Sequence, residues 1–73
     1  MTDFSVGQLV TKRVWAEVRA QPVWALVLAT EKEDPSLRQL DEETVYLEIL
    51  EGGSVKLVFP ALYVSETDFY NLM

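Results

Sequence analysis

The sequence predicts an all-β domain, a small barrel of about five strands with a short C-terminal helical turn. Three observations predict it. Two apolar runs, Val45 to Ile49 and Val55 to Phe59, alternate on either side of Glu51-Gly52-Gly53 and read as a β-hairpin. The run Val23 to Thr30 is apolar on both of its period-2 faces, the pattern of a strand covered on both sides. A chain of 73 residues, 49% of them hydrophobic, can fold around one core but not two.

The elements follow in order. Gln8 to Arg13, introduced by Gly7 and rich in β-formers, reads as the first strand. Val14 to Gln21 alternates Val14, Ala16 and Val18 with Trp15, Glu17 and Arg19, which suits an extended arm, with a helical turn as the alternative. Pro22 ends the arm, and Val23 to Thr30 is the two-sided strand. Glu31 to Glu43 is a polar loop with acidic residues at both ends and Leu37 and Leu40 placed to anchor one helical turn.

Register in the hairpin can be argued from facing. A two-residue Gly52-Gly53 turn opposes Ile49 to Lys56 and mixes the faces. A three-residue loop with Gly53 left-handed instead pairs Ile49 with Val55, Leu47 with Leu57 and Val45 with Phe59, and adds an outer Glu48–Lys56 pair. Pro60 ends the second hairpin strand, Ala61-Leu62 turns the chain, and Tyr63-Val64-Ser65 forms a short last strand. Ser65 is the expected N-cap of a closing turn, with Glu66 and Asp68 near its positive end. The barrel is therefore expected over residues 1–65 and an apolar tail over 66–73.

Gly7-Gln8-Leu9-Val10, Ala25-Leu26-Val27-Leu28, the hairpin Val45 to Phe59 and Leu62-Tyr63-Val64 give the chain a resemblance to the small SH3-like β-barrel proteins of tailed bacteriophages. It covers about Val6 to Ser65. Ala25 stands where that family commonly opens its second strand with glycine, and Leu50-Glu51 where an aromatic is frequent. The acidic, aromatic groove pattern of Pro-peptide-binding SH3 domains is absent, so Pro-rich ligands are not implied. The resemblance implies a structural or adaptor role in a phage particle and a location in the virion or the host cytoplasm.

Composition narrows the chemistry. The chain has no His and no Cys, so the usual proton acceptor, the thiol nucleophile and thiolate metal sites are missing, and a domain this small offers little room for a substrate cleft. No catalytic residue, metal ligand or cofactor is expected. The acidic run Glu31-Lys32-Glu33-Asp34-Pro35 lacks the spacing of a calcium loop. A net charge of −6, with the six cations dispersed among carboxylates, makes nucleic acid a poor partner. No run approaches the length of a membrane span, and Met1 to Ser5 lacks a basic region followed by an apolar run, so a soluble chain made inside the cell is expected.

The expected partners are other protein subunits, in a homo-oligomer or larger assembly. The candidate contact residues are Trp15, flanked by Arg13 and Arg19, and the tail residues Phe69, Tyr70, Leu72 and Met73. Trp beside Arg is the composition of interface hot spots, the alternative being that Trp15 caps an open end of the barrel. The tail either plugs its own barrel or enters a neighbour; the surface-to-volume argument favours the neighbour. The rival function is an acidic soluble phage protein that inhibits a host enzyme or nucleic-acid-binding protein, whose binding salt would weaken sharply.

Overall fold

The computed structural model describes residues 4–39 and 44–72. The elements are β1 (Leu9–Lys12), α1 (Arg13–Glu17), β2 (Ala25–Ala29), a 3-10 turn (Pro35–Leu37), β3 (Arg38–Gln39), β4 (Thr44–Val45), β5 (Leu47–Glu51), β6 (Ser54–Val58), a second 3-10 turn (Pro60–Leu62), β7 (Tyr63–Ser65) and α2 (Glu66–Leu72). Five strands make one antiparallel sheet in the order β6-β5-β2-β1-β7, and β3 and β4 pair separately. The fold is mostly β with a short C-terminal helix. Among the described residues β6 and β7 do not pair, so the sheet has two edges and is not closed into a ring. After three residues β7 gives way to α2, which packs beside β7 and β1.

The inner face of the sheet holds the main core: Val10, Ala25, Val27, Leu47, Ile49 and Tyr63, closed by Phe4, with Val58 packed against them. Every other residue of a strand faces this way, so β2 places Ala25 and Val27 inward and keeps Leu26 for the opposite face. A register shift between Val27 and Ala29 marks a bulge in β2, a device that bends a strand.

The structure corrects the hairpin register. Leu47 pairs with Val58, Ile49 with Lys56, Leu50 with Val55 and Glu51 with Ser54. This is the two-residue turn, with φ of 59° at Gly52 and 81° at Gly53. Positive φ at both central residues is what a type I′ turn requires, and two glycines meet it without strain. The facing argument failed because it assumed that Val55, Leu57 and Phe59 are buried. β6 is an edge strand with four of its residues exposed, so no burial opposes the register that the turn selects. Lys56 consequently bonds Glu51 at 3.0 Å, and the expected Glu48–Lys56 pair does not form.

Arg13–Glu17 is a helix and not an extended arm. The alternation of Val14 and Val18 misled, since both are exposed while Ala16 is buried. The helix closes with the Arg19 N–H on the Ala16 carbonyl at 3.2 Å and the Ala20 N–H on that of Trp15 at 3.0 Å. That paired pattern is a Schellman ending, whose left-handed position falls on Arg19 at φ 55°.

The polar loop is ordered over its described part. Glu33 accepts from the Thr30 hydroxyl at 2.6 Å and its N–H at 2.9 Å, bonds that hold its carboxyl below the usual glutamate range. Asp34 accepts from the Ser36 N–H at 3.1 Å and so caps the Pro35–Leu37 turn, which buries Leu37. The helical turn expected between Leu37 and Leu40 is thus placed earlier in the chain, with Arg38 already in a strand; Leu40 and the acidic run 41–43 lie outside the described residues. At the other end, the Asp68 N–H bonds Ser65 Oγ at 3.2 Å, the N-cap read from the sequence.

Candidate functional site

The outer face of the sheet is divided in two. Directly opposed residues share a face, so Thr11 and Val64, paired across β1 and β7, lie on the face opposite Val10 and the main core. Both are buried there. Val64 forms a second small core with Ala16 of α1 and Phe69 of α2, against which Trp15 and Trp24 pack, which corrects the expectation of a single core: the two helices cover the back of the sheet and bury a few residues there. Phe69 meets Trp24 edge-on at 5.4 Å and 71°. Thr11 lies under this cover without an unpaired hydroxyl, since its Oγ1 donates to the Val23 carbonyl at 2.8 Å.

Beyond the helices the same face is uncovered. Register joins Leu9 to Leu26, Leu26 to Leu50 and Leu50 to Val55, a row of apolar side chains running across β1, β2, β5 and β6. Leu57 extends it on β6, opposite Glu48. Val55 is 63% exposed and Leu57 56%, while Leu9 and Leu50 are also exposed and Leu26 half-buried. Glu48 is the one ionisable side chain that strand register puts among them. The row ends at the free edge of β6, where no described strand satisfies the outward backbone groups.

The residues singled out from sequence are dispersed by this fold. Phe69 is 1% exposed and packs within its own domain, so it is not offered to a neighbour. Tyr70 and Leu72 are exposed on α2, and Met73 lies outside the described residues. Trp15 is half-buried against the second core, Arg13 is exposed on another side of α1, and Arg19 is exposed in the turn that ends it. Trp15 and Arg13 therefore do not form one patch. The row through Leu26 and Leu50 was missed, and the signal for it was the Gly52-Gly53 pair: reading it as a type I′ turn puts Val55 and Leu57 on the outer face.

A separate groove of about 330 Å³ lies between α1 and the Pro60–Leu62 turn, lined by Lys12, Arg13, Val14, Glu17, Ala61, Leu62 and Tyr63. Burial, and after it the charge of Glu51, raises the Tyr63 phenol pKa, so that ring stays neutral and the groove's charges are Lys12, Arg13 and Glu17. Among the described residues no three acidic side chains come together to hold a metal ion, and no helix is long and apolar enough to cross a membrane.

No family model, curated protein or solved structure matches the chain.

Proposed function

We propose that the chain is a non-enzymatic protein-binding module, a structural or adaptor component of an assembly in which the uncovered half of the outer sheet face seats on a second copy of the chain. The row of Leu9, Leu26, Leu50 and Val55 carries this reading. Fully burying such a side chain is worth about 1.5–3 kcal/mol, and these begin partly covered, so roughly half of that is available from each. Domains of this size often gain stability by association. The charge distribution also favours it: the chain carries −6, but among the described strand residues the row has only Glu48 beside it, so two copies can meet there with little direct repulsion from the strands. The unpaired edge of β6 offers main-chain groups to the same partner.

The phage particle is the setting that the SH3-like resemblance implies for such a component. A small SH3-like barrel is the finer form of the fold we propose. The return of the last strand to pair with the first, and the bulge in β2, support a sheet that curls in this way.

Sedimentation velocity over a concentration series tests the function. The unaltered chain is expected to associate, at high salt as at low salt, and the Leu50→Glu/Val55→Glu variant to stay monomeric with an unchanged circular dichroism spectrum. A chain that is monomeric at every accessible concentration, or a double variant that associates as before, overturns the reading. Association that salt abolishes would point instead to the acidic surface.

A further inference from the structure

The groove beside α1 is a different surface from the bare sheet half. Val14 and Leu62 form its apolar walls, Leu62 being 60% exposed, and Lys12 and Arg13 lie along it. In a chain of net charge −6 these two cations have no ion-pair partner among the described residues, although the chain's twelve acids outnumber its six bases. Arg13 and Glu17 stand four apart on α1, the spacing at which helical ion pairs form, yet their side chains are not bonded.

We propose that this groove binds an extended acidic–apolar segment of a different protein, seating a large apolar side chain between Val14 and Leu62 and setting neighbouring carboxylates against Lys12 and Arg13. Charge complementarity selects the occupant. The chain as a whole carries −6, whereas the groove's two cations outnumber its one carboxylate, Glu17, and Arg presents a planar fork that matches a carboxylate. Nucleic acid fits less well, because phosphate binding needs a longer run of cations and gains nothing from apolar walls. At about 330 Å³ and open to solvent, the groove suits one anchoring side chain of a peptide better than an enclosed small molecule.

The experiment selects binders of the whole chain from a random-peptide library and titrates the enriched, dye-labelled peptides by fluorescence anisotropy. Expected are sequences with Asp or Glu next to Leu, Ile or Phe, binding that weakens as salt rises, and a loss of about tenfold or more in Lys12→Glu/Arg13→Glu. Both side chains are exposed and unbonded, so that variant should fold, which circular dichroism checks; Leu62→Ser, on the opposite wall, should weaken binding as well. The proposal fails if nothing is enriched, if the enriched peptides lack carboxylates, if the charge-reversal variant binds them unchanged, or if an oligothymidine strand binds more tightly than they do. Self-association lost in Lys12→Glu/Arg13→Glu but kept in Leu50→Glu/Val55→Glu would assign the groove to a second copy and overturn it. The peptide result is independent of whether the sheet face dimerises.

Discussion

The β1/β7 half and the β5/β6 half of one sheet face carry similar residues and meet different fates. In the first, Thr11 and Val64 are sealed beneath Ala16 and Phe69; in the second, Leu50, Val55 and Leu57 are open to water. Strand chemistry does not distinguish them. The difference is that α1 and α2 both pack beside β1 and β7, at one side of the sheet, and neither helix packs extensively against β5 or β6. Apolar alternation thus says which residues share a face, and the position of the covering elements decides whether that face belongs to the core or to a partner.

Substitutions on the two halves should separate accordingly. Phe69→Ala removes the ring that seals the covered half and should cost about 3–5 kcal/mol in urea unfolding, enough to unfold a domain of this size, with Trp24 fluorescence reporting the exposure. Ser65→Ala deletes the cap on α2 and should cost about 1 kcal/mol in the same assay. Arg19→Gly should instead stabilise the α1 side by about 0.5–1 kcal/mol, because glycine takes the left-handed ending of that helix without a Cβ penalty. Smallest in the isolated monomer is the bare half at its most exposed position: Val55→Thr should change unfolding by about 0.5 kcal/mol or less. A large loss at Val55, or none at Phe69, would erase the distinction between the two halves.

How far this division was legible in the sequence depended on whether local chemistry or long-range cover decided each point. The Pro60 break and the Ser65 cap rest on residues near in sequence, and the structure places them where they were read; the run Val23 to Thr30 does hold a strand, Ala25–Ala29, but only its inner face at Ala25 and Val27 is buried, so the expected cover on both sides is incomplete at Leu26. The hairpin was misread although its turn residues were plain, because an assumption about burial outweighed two adjacent glycines. The same assumption hid the row across Leu9, Leu26, Leu50 and Val55, which exists only once four strands are in register. α1 was open between two readings because Val14 and Val18 alternate with polar residues in a segment whose buried groups are Ala16 and, in part, Trp15. The tail was weighed by total apolar content, which cannot tell that Trp24 waits inside the same domain to receive Phe69.

The most direct test of the central claim is a concentration series of two-dimensional NMR spectra recorded on the unaltered chain. The amides of Leu26, Leu50, Val55 and Leu57 should shift and broaden with concentration while those of Thr11 and Val64 stay fixed. Spectra in which the bare half is invariant, or in which only Tyr70 and Leu72 respond, would contradict the assignment of that face to a partner.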